Sequence, residues 1–258
     1  MVVDTRRLFL KLLRTFDIET VCDVGSLDGT DALRFRRMRP AADIVAFEPN
    51  PRNFALMDAD PRLRDERIRI LPVAASDRAA EAPFFVVDAE HATQRDWARR
   101  GMSSLHRRSD SSLLAEIVRV RTARLDDVLA ARAGTRIALW IDTEGAAFEA
   151  ISGASGVLGA TRMLHVEVET EPCIGANQRL FRDVEALLVD AGFALLATDQ
   201  PCAATQFNAL FVRADLLRGA AAWRVAGARL HRAIKTAVRP LVPRSLRRCL
   251  VRLAADLH

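Results

Sequence analysis

Apolar, β-branched runs recur along the first 215 positions at 20–24, 44–47, 68–73, 137–141, 163–168 and 207–212. Between them lie stretches with helical periodicity. Residues 30–39 read as a helix stopped by Pro40, and residues 177–191 place Leu180, Val184, Leu187 and Leu188 on one helical face before Gly192 ends it. Such alternation predicts βαβ units and an α/β fold, a largely parallel sheet with helices on both faces. Within residues 1–20, Leu8, Phe9, Leu12, Leu13 and Phe16 are interrupted by Lys11 and Arg14, the pattern of an amphipathic helix rather than of a signal peptide or a membrane span. Two further strand-like runs, 84–87 and 118–122, flank a polar Arg- and Ser-rich excursion. It reads either as a lid over the domain or as a solvated loop.

Length and charge refine this picture. The 258 residues suffice for one large domain and an appendage, so residues 1–215 are expected to form the domain and 216–258 a basic helical extension. The extension carries ten basic residues against Asp256, a charge of +9 that leaves the rest of the chain at −4. The basic balance therefore belongs to the tail, and a nucleic-acid partner is not expected for the domain. Leu230, Ile234 and Val238, then Leu246, Leu250, Leu253 and Leu257, give two amphipathic helices. These fit packing on the domain, a homo-oligomer contact, or peripheral contact with an anionic membrane surface. Cys22, Cys173, Cys202 and Cys249 show no zinc-ligand spacing, and no metal site is expected; reduced thiols point to the cytoplasm.

Candidate chemistry begins at residues 21–30, VCDVGSLDGT, where an apolar strand enters a turn with glycines four apart and then a helix. Glycine there permits positive φ and close approach of a ligand to the backbone, and a helix N-terminus offers unpaired N–H groups. Glu48, in VAFEPNP at 45–51, ends the second strand, the place where Rossmann-like sheets present an acid to ribose hydroxyls. The pair implies an adenosine-type ligand. The turn lacks the G-x-G-x-x-G that admits a pyrophosphate, which disfavours a nicotinamide-dependent oxidoreductase. Asp142 and Glu144 follow the strand 137–141 and face the crevice at its C-terminal end, or else cap the next helix.

Taken together and in order, DVGSLDG at 23–29, FEPNP at 47–51, VAASD at 73–77, GMSSL at 101–105, LDD at 125–127 and IDTEG at 141–145 resemble the motifs of the FkbM-type methyltransferases. The resemblance spans roughly residues 17–213. It implies a Rossmann-like class I methyltransferase fold, S-adenosyl-L-methionine as cofactor and a hydroxyl oxygen of a small molecule or saccharide as acceptor. On this reading Asp23, Gly25, Ser26, Gly29, Glu48, Pro49, Asn50, Ser76 and Asp77 are expected around the cofactor. Asp142 and Glu144 are expected to position the acceptor or act as base, with His106 behind them, whereas His165 sits in a buried strand and reads as structural. Two departures stand out: Trp140 occupies a position where the family commonly has lysine, and Glu169 one where histidine is common. The competing reading outside enzymology is a binding module driven by the basic tail.

Overall fold

The structure, a computed structural model, describes residues 2–87, 101–108, 114–132 and 134–218. The two tail helices expected at 220–238 and 246–257 and most of the polar excursion lie outside the described residues. At the centre is a seven-stranded sheet in the order β3-β2-β1-β7-β8-β10-β9. It is formed by β1 (Thr20–Val24), β2 (Asp43–Phe47), β3 (Arg69–Leu71), β7 (Ile137–Ile141), β8 (Thr161–Glu169), β9 (Phe193–Thr198) and β10 (Gln206–Arg213). Pairing is parallel from β3 to β8, and β10 runs antiparallel to both β8 and β9. Strands β1 and β7 are buried along their whole lengths, which is why both read as continuous apolar runs rather than as alternating ones.

Alternate residues of these strands feed two cores. Val24, Phe47, Leu139, Ile141, Val166 and Phe207 pack with α6 (Ala147–Ser152) and α7 (Phe181–Asp190) on one face. Val21, Trp140, Met163 and Leu210 pack on the other with Phe9 of α1 (Thr5–Thr15) and Phe35 of α2 (Thr30–Met38). The amphipathic N-terminal helix is thus real, and Asp4 caps it by accepting from the Arg7 N–H at 2.8 Å. Among the described residues no helix is long and apolar enough to cross a membrane.

Three differences from the sequence reading have physical causes. The run at 68–73 divides at Pro72, which has no N–H for a ladder. Its first half is β3, and its second is β4 (Val73–Ala75) of a separate sheet ordered β4-β6-β5, with β5 at Ala80–Val87 and β6 at Leu114–Ala123. Strand β9, FALLAT, is rich in Ala and Leu and carried no strand signature. The helices α3 (Pro51–Ala59) and α4 (Pro61–Asp65) each start with proline behind a capping Asn50 or Asp60, a start signal the apolar periodicity did not show. The helix expected from residue 177 begins at Phe181. A short α5 (Leu125–Leu129) leads into β7, and α8 (Ala214–Arg218) follows β10.

The end of α6 is pressed against the loop after β4. A Cβ at Gly153, whose φ is an ordinary −74°, would lie 2.0 Å from the Ser76 carbonyl oxygen, whereas one at Gly159 meets nothing within 4 Å. Gly153→Ala is therefore expected to destabilise the fold by about 1–3 kcal/mol through overpacking, and Gly159→Ala by less than about 0.5 kcal/mol. Urea-denaturation midpoints measure both. Equal midpoints would mean that helix and loop are not held in contact.

Candidate active site

Residues 25–29 turn from β1 into α2 through three left-handed residues, Gly25 (φ 85°), Leu27 (φ 60°) and Gly29 (φ 76°). The Gly25 and Ser26 N–H groups both donate to the Phe47 carbonyl at 3.0 Å, and the Asp142 N–H donates to the Val24 carbonyl at 2.9 Å. These bonds draw β1, β2 and β7 together at their C-terminal ends. A Cβ on Gly25 would stand 1.8 Å from the Asp142 carbonyl oxygen, so the protein's own backbone, not a ligand, demands glycine here. Below the turn Asp23 is buried and accepts from the Ser26 hydroxyl at 2.6 Å; burial pushes its carboxyl well above the usual range.

Glu48 braces this loop to the next. Its Oε2 accepts from the Leu27 N–H at 2.7 Å, and its Oε1 from the Asn50 N–H at 2.9 Å and from Asn53 Nδ2 at 3.4 Å. Asn50 caps α3 by accepting from the Arg52 N–H and reaches Ser103 Oγ at 3.4 Å. Glu48, Pro49, Gly25 and Leu27 line a cleft whose opposite wall is apolar, made by Phe47, Ala74 and Phe84, with Ser103 and Leu105 of segment 101–108 drawn over it. Glu48, Asp142 and Glu144 are the charged residues of its lining, and no Lys or Arg is among the described residues there.

Asp142 and Glu144 stand where the sequence placed them. The alternative that they cap the following helix is not observed, since α6 starts at Ala147 with Ala146 at its N-cap and no side-chain cap. Glu144 has a left-handed φ of 49°, a strained conformation for a residue with a side chain. Arg108 forms an ion pair with its carboxylate, and the Ser104 hydroxyl donates to its carbonyl at 2.6 Å. Glu167 and Glu169 come up beside them from β8. Gln178 and Gln206 both donate to Glu169, and Gln206 also donates to Glu167 at 2.9 Å. Carboxylate oxygens of Asp142, Glu144 and Glu167 lie within 4.8 Å of one another. The expectation of no metal rested on finding no local ligand cluster; the fold brings Glu167 of β8 beside Asp142 and Glu144 of the loop after β7, a grouping that local spacing does not show.

Crowding sets the protonation of this lip. Burial first, and then the neighbouring Asp142, push Glu144 up to about 7 against the Arg108 guanidinium. Burial likewise raises Asp142, Glu167 and Glu169; a hydrogen bond with Glu167 opposes the rise at Asp142.

The other expected residues fall outside the cleft lining. Among the described residues His106 Nε2 has no hydrogen-bond partner; it lies 3.8 Å from Glu149 Oε1 of α6, and the His106 Cβ stands against Gly175. Ser76 and Asp77 stand behind the Ala74–Ala75 wall: Ser76 Oγ donates to Asp77 at 3.2 Å and Arg124 holds the Asp77 carbonyl at 2.8 Å. Ser26 and Asn50 support the loops beneath it, and Gly29 opens α2 against Leu63. His165 is structural as expected, stacked on Trp140 at 3.6 Å and bonded to Thr5, with burial pushing its pKa down to about 3. Sequence reasoning did not single out Arg108, Asn53, Ser103 or Gln178. Arg108 and Ser103 bond Glu144 and Asn50, 36 and 53 positions away, and Arg108 is one arginine among many.

The chain is similar to several known proteins. The 2-O-methyltransferase NoeI of Sinorhizobium fredii (strain NBRC 101917 / NGR234) is 31% identical over 161 residues, 57% of this chain and 62% of that protein. The chain thus spans less than two thirds of that relative's length. Among solved structures, the methyltransferase FkbM from Methylobacillus flagellatus KT matches with a TM-score of 0.49 at 12% identity, over 76% of this chain and 44% of that one. Magnesium protoporphyrin IX methyltransferase (ChlM) from Synechocystis PCC 6803 with bound SAM gives 0.44 at 10% identity, over 81% and 78% of the two chains. The profile of the methyltransferase FkbM domain matches residues 23–195, more than half of the chain, and the protein therefore belongs to the FkbM methyltransferase family.

Proposed function

We propose that this chain transfers the methyl group of S-adenosyl-L-methionine to a hydroxyl oxygen of a small molecule or saccharide. The observation that carries the reading is the cleft at the ends of β1, β2 and β7, with an apolar wall on one side, Glu48 on the other and no basic side chain among its described lining residues. That donor set suits an uncharged adenosine followed by a cationic sulfonium. It would repel the pyrophosphate of a dinucleotide. NoeI is named a 2-O-methyltransferase, which supports oxygen as the accepting atom. The free cysteines among the described residues fit the cytoplasm as its place of work.

Glu48 would hold the ribose hydroxyls, the wall of Phe47, Ala74 and Phe84 the purine, and the acidic lip the positive end. The bound cofactor supplies an electrophilic methyl carbon. At about 90 Å³ the cleft is smaller than the ~300 Å³ at the low end of small-molecule sites. Segment 101–108, pinned by Ser104 and Arg108 to Glu144, must yield to admit the ligand. This favours the lid reading for segment 101–108. In the closed site the chain mainly aligns the reacting atoms, and Asp142 or Glu144 takes the proton that the acceptor hydroxyl gives up. Arg108 holds the Glu144 carboxylate in place, and Glu167 retains a proton that it shares with Asp142.

Replacing Glu48 by Gln is expected to weaken S-adenosylhomocysteine binding at least about tenfold, since a charge-assisted acceptor is worth ~1.5–3 kcal/mol. Calorimetric titration of the folded variant reads this directly. Unchanged affinity would remove the ribose assignment.

The pH dependence follows from the lip. A base accepts a proton only when ionised, so with Glu144 raised to about 7 the turnover should climb as pH rises through that value and level off above it. Neighbouring carboxyls titrate together, and the inflection belongs to the group of them. Glu144→Gln and Asp142→Asn should each lower kcat by ~10²–10⁴ while binding S-adenosylhomocysteine, which lacks the sulfonium charge, normally. A flat wild-type profile across pH 6–8, or variants with full kcat and lost ligand affinity, would take proton acceptance away from this pair.

A further inference from the structure

The parallel strands give the domain two poles of opposite charge. Their C-terminal ends carry the acidic lip, whereas their N-terminal ends, with the ends of α1 and α2, are stitched together by arginine. Arg14 of α1 donates to the Met38 carbonyl at 3.4 Å, Arg39 to the Ile18 carbonyl at 2.9 Å, and Arg36 of α2 to the Pro40 and Ala42 carbonyls at 2.8 and 2.6 Å. A carbonyl is neutral, so these bonds fix the loops and leave the guanidinium charge in place. The acids of this pole are already engaged: Asp17 lies between Arg39 and Arg136, Asp43 faces Arg132 and Glu66 faces Arg36. Arg37, Arg67 and Arg69 are exposed and have no ion-pair partner among the described residues.

The basic extension leaves the domain at this same pole. Strand β10 runs antiparallel to β8, so its last residues, Val212 and Arg213, lie beside Met163 and Phe193 at the starts of β8 and β9. The Ala214 N–H donates to the Gly192 carbonyl at 2.9 Å, and Leu216 and Leu217 of α8 pack on the core that Phe16 and Met38 also join. The chain thus departs on the α1 and α2 face, toward the exposed arginines. Its sequence continues their charge, +9 over residues 216–258, and sets Leu246, Leu250, Leu253 and Leu257 among further arginines.

We infer that this pole and the basic extension together form a docking face for an anionic lipid surface, which holds the domain with its cleft turned toward the water. Lipid headgroups meet guanidinium groups that no acid of the protein neutralises, and a leucine stripe beside arginines adds the apolar signal that a charged patch alone lacks. A nucleic acid would use the charge but not the leucines. The acidic lip does not cancel the attraction. The five residues of β7 alone set the poles ~17 Å apart at ~3.3 Å per residue, about two Debye lengths at physiological salt. Repulsion between the lip and the same lipids then selects the orientation. The inference goes beyond the chemistry of the cleft and does not depend on it.

The test sediments the purified full chain with vesicles of phosphatidylcholine alone and of phosphatidylcholine mixed with phosphatidylglycerol, at low and at high salt. The chain should pellet with the mixed vesicles at low salt, leave them at high salt and ignore the neutral ones. Combining Arg37→Gln, Arg67→Gln and Arg69→Gln should weaken the partition at least about tenfold, and Leu250→Asp with Leu253→Asp should do the same. Circular dichroism checks that these variants are folded. Hydrogen–deuterium exchange of the unmodified chain gives a second reading that needs no variant: on the mixed vesicles the amides of 36–41 and 66–69 should slow, and those of 103–108 should not. A chain that stays in the supernatant, a partition indifferent to either set of substitutions, slowing at 103–108 in place of the arginine pole, or tighter binding to duplex RNA than to the mixed vesicles overturns the inference.

Discussion

Four carboxyl groups, Asp142, Glu144, Glu167 and Glu169, share the C-terminal lip of the sheet in a space where burial raises the pKa of each. Like charges this close and this dry cannot all be ionised, so protons, one guanidinium and two carboxamides divide the load among them. Arg108 reaches Glu144 from a segment that also closes the cofactor cleft, while Gln178 and Gln206 serve Glu169. The rest of the site follows from that arrangement. On the proposed reading the lip excludes an anionic ligand, suits a cationic end group and can take the proton of a hydroxyl.

The framework that holds the lip is backbone braced by one carboxylate. Gly25 packs against the Asp142 carbonyl so closely that β1 and β7 end in register, and Glu48 ties Leu27 to Asn50 across the next gap. The departures at Trp140 and Glu169 belong to the same economy. Trp140 lies flat on His165 and under Arg6, part of the aromatic packing on the α1 face of the sheet. Glu169 adds a fourth acid and is accommodated by carboxamides instead of a further cation.

How much of this was legible depended on the range of the interactions. Strands β1 and β7 coincide with their expected bounds because a fully buried strand writes a continuous apolar run into the chain. The glycine turn, Glu48, Asp142 and Glu144 were legible because each sits at a strand end, a place that the alternation of elements fixes. Strand β9 was hidden by Ala and Leu, which serve helices as well, and Pro72 divided one apolar run between two sheets. The meeting of Asp142 with Glu167, the Arg108 pair and the retreat of His106 to Glu149 depend on register and on loop course, which no single segment encodes.

The central claim is that the cleft between Gly25, Glu48 and Asp142 is built for an adenosyl group with a positive or neutral tail and against a pyrophosphate. Calorimetric titration of the purified chain with S-adenosylhomocysteine and, separately, with NADH tests it most directly. The account predicts saturable one-to-one binding of S-adenosylhomocysteine and no measurable binding of NADH. Binding of NADH, or no binding of S-adenosylhomocysteine by the folded protein, would contradict it.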